Sequence, residues 1–165
     1  MADIIVVTGG SSGIGRGCVH RVLAAGGQVA NLDIKAPDCL PGETFIETDL
    51  RDPATITAAF DRIAKLGSVV GLVNNAGFYL SKPLLETTAE DFEKLVPLNL
   101  VAPALCARLA VDSMKRSGWG RIVNVSSRVV LGKERRTSYA ATKGGIAAMT
   151  RVWALELARL GITVN

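Results

Sequence analysis

Apolar and polar positions along this chain alternate between two textures. Short apolar runs occur at Asp3 to Thr8, Gln28 to Asp33, Thr44 to Thr48, Val69 to Val73 and Gly120 to Ser127, and a sixth opens at Ile162. Runs of this length, apolar with little alternation, read as strands of a parallel sheet buried on both faces. Between them, apolar residues recur at helical spacing. Ile14, Cys18, Val22 and Ala25 form one stripe, and Ile56, Ala59, Phe60 and Ile63 form a second. A long run leads from Thr88 toward Lys115, and another from Tyr139 through Leu160, with Ala147, Trp153 and Leu157 among its apolar members.

Local signals punctuate these segments. Gly26-Gly27 stops the first helix, and Asp52-Pro53 supplies an N-cap with proline at the first helical position. Thr88-Ala89-Glu90-Asp91 has the form of a helix start. Asn99 lies inside the long helical run, where its propensity is poor, and Pro97 stands two residues before it, so a local kink is expected there. Strands alternating with helices at this pace predict a parallel α/β sheet, and the length fits one domain spanning residues 1–165.

The carboxyl ends of the predicted strands carry the candidate chemistry. The first runs straight into Gly9-Gly10-Ser11-Ser12-Gly13-Ile14-Gly15 and then a helix. Glycines in that context let the backbone approach a pyrophosphate and aim a helix N-terminus at its charge. The second strand ends in Asp33, about twenty residues on, where a carboxylate can hydrogen-bond ribose hydroxyls. A 2′-phosphate would be repelled there, which favours NAD over NADP. The fourth strand ends in Asn74-Asn75-Ala76-Gly77, amides and small residues suited to the rim of a ligand crevice.

Tyr139 and Lys143 are four apart and share a helix face. A phenol ionises near pH ~10, too high for a base at neutral pH. A neighbouring ammonium stabilises the phenolate and makes tyrosine a usable proton donor and acceptor. Ser126 and Ser127 close the fifth strand, and alternation lets one of them face a substrate.

Composition narrows the partners. Nineteen Lys+Arg against fifteen Asp+Glu give a net charge of +4, which fits an anionic ligand. The densest basic run, Lys133 to Arg136, is broken by Glu134 and has no interleaved aromatics, so no nucleic-acid partner is expected. Arg128, Lys133, Arg135 and Arg136 border the expected substrate loop and could grip an acidic substrate. Cys18, Cys39 and Cys106 are odd in number and widely spaced, so reduced thiols and no metal site are expected. With no secretory leader and no long uninterrupted apolar span, the expectation is a soluble cytoplasmic chain with no membrane partner.

Thr8-Gly9-Gly10-Ser11-Ser12-Gly13-Ile14-Gly15, Asn74-Asn75-Ala76-Gly77 and Tyr139-x-x-x-Lys143, in that order and at those separations, resemble the motif series of the short-chain dehydrogenases/reductases. The resemblance implies a Rossmann-type doubly wound parallel sheet and hydride transfer between a nicotinamide cofactor and an alcohol or carbonyl. It would give Thr8, Gly9, Ser12, Gly13, Ile14 and Gly15 to the dinucleotide loop and Asp33 to the adenosine ribose. Asp49 and Leu50 would lie beside the adenine, the carboxylate meeting its amino group. Asn75, Ala76 and Gly77 would line the far side of the cofactor. Ser12 stands where many NADP-preferring relatives carry a basic residue, which again favours NAD.

For catalysis the resemblance implies Tyr139 as general acid/base, Lys143 on the nicotinamide ribose, and the Asn99 carbonyl holding a relay water. The substrate oxygen would meet Ser127 by position in the strand; the usual spacing of thirteen to the tyrosine points to Ser126 instead, but a loop absorbs a one-residue deletion more easily than a buried strand, which favours Ser127. Relatives continue past the sixth strand into a substrate lid and a further strand, so the chain is expected to stop short of both. The long helices of such proteins commonly pair into homodimers or homotetramers. A rival expectation is a non-catalytic or regulatory dinucleotide-binding protein on the same scaffold.

Overall fold

The computed structural model describes residues 2–165. Six strands form one parallel sheet in the order β3-β2-β1-β4-β5-β6: β1 (Ala2–Thr8), β2 (Gln28–Asp33), β3 (Glu43–Glu47), β4 (Gly67–Asn74), β5 (Gly120–Asn124) and β6 (Ile162–Val164). The helices are α1 (Gly13–Ala24), α2 (Pro53–Leu66), α3 (Ala89–Val96), α4 (Ala102–Ser117) and α5 (Thr137–Leu157). This is the doubly wound Rossmann arrangement. Alternation along β1 sends Ile4 and Val6 into a large core with Ile56, Phe60, Cys106 and Met114, while Val7 packs on the other face with Val19 of α1 and Val29.

After β1 the chain winds toward β3, and after β4 it winds toward β6. The crevice of such a sheet opens where that direction reverses, outside the carboxyl ends of β1 and β4. Both motif loops, residues 9–12 and 75–77, leave the sheet at that point.

Most predicted boundaries lie within a residue or two of the observed ones. The Asp52 side chain caps α2 by accepting from the Ala54 N–H at 2.8 Å, and Thr88 opens α3 through a capping box with Asp91. The fifth strand is shorter than expected, because its ladder ends at Asn124 and Ser126 and Ser127 lie beyond it. The α1 stripe is also displaced. Val19 and Gly15 are the buried residues, while Ile14 is 69% exposed. Two-sided wrapping leaves α1 only a narrow contact with β1 and β2, so a three-to-four spacing does not say which residue is central.

The expected kink is a π-helical turn over Pro97–Val101, in which the Ala102 N–H donates to the Pro97 carbonyl. Its cause is Pro103 as much as Asn99. A proline ring collides with the carbonyl four residues back, and the proline has no N–H to offer it. That carbonyl belongs to Asn99. The helical run Ala89–Ser117 is long and apolar enough by composition to cross a membrane. Here Ala102, Cys106, Ala107, Ala110 and Met114 face the sheet core instead.

Candidate active site

The crevice is an open cleft of about 1300 Å³ running from Asp33 at one end to Tyr139 and Arg136 at the other. Its floor is the glycine loop. Thr8 is buried and holds β1 to β4, its hydroxyl donating to the Val73 carbonyl and accepting the N–H groups of Asn75 and Ala76 at 3.0 and 3.1 Å. The Asn75 amide donates to the carbonyls of Thr8 and Gly9. A Cβ at Gly15 would collide with the Gly9 carbonyl oxygen, so only glycine lets α1 begin this close to the loop. Gly9, Ser12, Ile14, Asn75, Ala76 and Gly77 line the cleft, whereas buried Thr8 and Gly15 shape the loop from behind it and Gly13 is exposed at the start of α1.

A polar cluster beneath the loop was not anticipated from the sequence. Glu43, with its side chain inaccessible to solvent, accepts from Arg16 through both oxygens at 2.7 Å, from the Asn31 amide at 2.9 Å and from the Leu40 N–H at 3.1 Å. Burial pushes the Glu43 carboxyl up, but these bonds together outweigh it and hold it below its ordinary value. Asn31 also donates to the Ser11 hydroxyl, so the cluster fixes the loop from below. The legible signal was Asn31 itself, a polar residue inside an otherwise apolar central strand.

At the end beside β2, where adenosine was expected, Asp33 accepts from the Ser11 N–H at 3.1 Å and the Lys35 N–H at 3.2 Å, which aims its carboxylate into the cleft. Leu50 and Asp49 line the same end. Arg51, unremarked in the sequence, chelates Asp49 through Nε and Nη2, and its hydrogen bonds hold the Asp49 carboxyl down to about 2. A carboxylate has about four acceptor sites, so an adenine amino group would share Asp49 with Arg51.

At the other end Ser126, Ser127, Tyr139 and Lys143 all line the cleft. The two serines differ in commitment. Ser126 donates its hydroxyl proton to the Lys143 carbonyl at 3.1 Å, tying β5 to α5. Ser127 accepts from the Val129 N–H at 3.2 Å, which leaves its own proton available. Lys143 is only 5% exposed, and burial lowers its pKa below the ordinary lysine value. Its ammonium donates to the Val125 carbonyl at 2.7 Å and lies 6.0 Å from the Tyr139 ring centre.

Asn99 is buried, and its side chain grips Phe78, donating to the carbonyl at 2.8 Å and accepting the N–H at 3.1 Å. Its amide also donates to Thr142 one turn of α5 from Tyr139. Gly77 lies against the Asn99 amide, where a Cβ would come within 2.9 Å. Asn74, by contrast, is a structural tie, donating to the Asn124 side chain between β4 and β5. Tyr79 was missed in the sequence; its ring stands 5.9 Å from that of Tyr139.

A switch-point crevice floored by a glycine loop and walled by a serine, tyrosine and lysine defines a dinucleotide-dependent class of protein. The short chain dehydrogenase family model matches residues 3–165, and the chain belongs to that family. It is 34% identical to L-fucose dehydrogenase of Bos taurus, over 98% of this chain and 63% of that protein. It is likewise 34% identical to 2-dehydro-3-deoxy-L-rhamnonate dehydrogenase (NAD(+)) of Sphingomonas sp. (strain SKA58), over 97% of this chain and 68% of that protein. Among solved structures, 4-hydroxyisoleucine dehydrogenase complexed with NADH and succinate superposes with a TM-score of 0.90 at 30% identity, covering 98% of this chain and 76% of that one. The chain thus spans 60–63% of the length of the L-fucose dehydrogenases it matches.

Proposed function

We propose that the protein is an oxidoreductase that takes NAD(H) into this cleft and interconverts a secondary alcohol and a ketone beside Tyr139. One observation carries this reading: the glycine loop and the Ser127–Tyr139–Lys143 group face a single continuous cleft. The residues fit a dinucleotide. Gly9 and Gly15 let the loop pack closely on Ala76 and on α1, the N-terminus of α1 faces the loop, and Asp33 presents a carboxylate suited to ribose hydroxyls. Two relatives whose names carry NAD(+) or NADH support the same cofactor.

When bound, the nicotinamide supplies or accepts the hydride. The chain's own residues handle the proton and the oxygen. Ser127 donates a hydrogen bond to the substrate oxygen and holds it against the phenol of Tyr139. In oxidation Tyr139 takes the alcohol proton; in reduction it gives one to the oxygen formed. The Lys143 ammonium stabilises negative charge on the phenolic oxygen and, with its remaining protons, holds the nicotinamide ribose. The π turn supplies the last part, an Asn99 carbonyl to which Pro103 cannot donate, suited to hold the water that reprotonates Lys143. A purely non-catalytic binding role is not favoured, since it would leave this proton machinery without a purpose.

The test is a single-turnover assay with a panel of secondary alcohols and NAD, comparing the wild type with Tyr139→Phe. The variant should lose at least a hundredfold in rate, within the range of general acid–base contributions, while keeping its NADH affinity. Equal rates would refute the assignment. Titration of both cofactors should show at least a tenfold preference for NAD(H), narrowed in Asp33→Ala.

A further inference from the structure

Apart from Arg51, which is paired with Asp49, the charged side chains lining the cleft are sorted by sign along its length. The lining carboxylates, Asp33 and Asp49, both lie at the adenosine end. Around Tyr139 the wall carries Arg128, Lys133, Arg136 and Lys143, and no carboxylate among the described residues. Four carboxylates pair with other cations, Glu43 with Arg16, Asp49 with Arg51, Asp91 with Lys82 and Glu90 with Lys94, and among the described residues no carboxylate pairs with Arg128, Lys133, Arg136 or Lys143. Glu134, although next to Lys133 in sequence, does not line the cleft, and neither does Arg135.

Arg136 is the best placed of these cations. It is half-buried, its guanidinium lies 4.2 Å over the Tyr79 ring, and Nη1 donates to the Leu80 carbonyl at 3.2 Å. Those contacts hold the group beside Tyr139, because Tyr79 itself stacks on the Tyr139 ring at 5.9 Å with a 56° tilt. They also engage only part of a five-donor fork that matches carboxylate and phosphate oxygens. Phe78, Val129 and Leu131 add apolar lining at the same end of the cleft.

We propose that the substrate taken beside Tyr139 is an anion, a hydroxy or keto compound whose carboxylate or phosphate is bound by Arg136, with Lys133 and Arg128 adding to the field. This rests on the oxidoreductase reading and deepens it. A neutral polyol or simple ketone would leave Arg128, Lys133 and Arg136 at one end of the cleft without a counter-charge.

The experiment uses the NADH-loaded chain and two matched pairs, acetoacetate against methyl acetoacetate and dihydroxyacetone phosphate against dihydroxyacetone, titrated by calorimetry. In at least one pair the anion should bind tenfold or more tightly than its neutral partner, equivalent to ~1.4 kcal/mol. The pair that shows the preference distinguishes carboxylate from phosphate. The preference should shrink at high ionic strength and disappear in Arg136→Gln. Where that variant melts early, the exposed double change Arg128→Gln with Lys133→Gln carries the readout, and should cut the preference at least threefold. Equal binding of anion and neutral partner, no measurable binding of either anion, or a preference that survives these changes would overturn the proposal. So would a parallel fall in NADH affinity in Arg136→Gln, which would assign the arginine to the cofactor. Failure of NADH to bind at all is a separate result, and it would sink the oxidoreductase reading itself.

Discussion

Replacing Glu43 by glutamine isolates the polar cluster beneath the glycine loop. The substitution keeps the shape and one acceptor oxygen but removes the charge that faces Arg16, whose side chain is only 17% exposed. Breaking a buried ion pair from one side costs about 3–5 kcal/mol. The remaining amide oxygen, and the bond from Arg16 Nη2 to the Asp38 carbonyl at 2.6 Å, bring the expected loss down to about 2–3 kcal/mol. For a domain of this size each kcal/mol corresponds to roughly 2–4 °C, so the melting temperature should fall by roughly 4–12 °C. The loss is not confined to stability. Asn31 gives one amide proton to Glu43 and the other to Ser11, whose N–H in turn holds Asp33. NADH affinity should therefore fall as well, about three- to tenfold. The wild-type contribution has a defined pH window. A depressed carboxyl stabilises the fold fully above its ordinary value of about 4.3 and loses that contribution as the pH falls through the lower folded value. The checks are thermal melts from pH 7 to pH 3 and NADH titration at pH 7. A variant within 0.5 °C of the wild type, with unchanged NADH affinity, would show that Arg16 and Asn31 are satisfied without the charge and would refute this account.

Three further outcomes are expected. Pro103→Ala restores an N–H four residues after Asn99, so the π turn should relax toward α-helix; stability should rise by about 1–2 kcal/mol while turnover falls about tenfold, measured by melting and single-turnover kinetics. Lys143→Met removes a buried ammonium whose pKa is depressed by burial. Because the unfolded lysine keeps its proton to higher pH than the folded one, the wild type should gain stability relative to the variant as the pH rises toward about 10.4, measured in paired denaturant melts. Thiol titration at pH 8 should label exposed Cys39 first and Cys18 more slowly. Cys106, buried and pushed up to about 12, should react only after unfolding.

The strand positions, the helix starts and the motif loops were all legible in the linear pattern, because each is set by neighbours in sequence. Asp52-Pro53 caps α2 and Thr88 with Asp91 opens α3 through contacts spanning three residues or fewer. The α2 stripe of Ile56, Ala59, Phe60 and Ile63 is buried throughout for the same reason, since one side of that helix meets one side of the sheet. The tertiary structure decided what depends on residues far apart in the chain. Spacing alone left Ser126 and Ser127 open; their separation into a tie to α5 and a free hydroxyl follows from where α5 crosses the end of β5. Asn31, a polar residue inside an apolar strand, finds its partners only in Glu43 of β3 and Ser11 of the loop after β1. The sorting of charge along the cleft likewise comes from loops after β2, β3 and β5 meeting at one rim. Hydrogen bonds and fields act over a few ångströms, and only the wound sheet sets which side chains fall within that range.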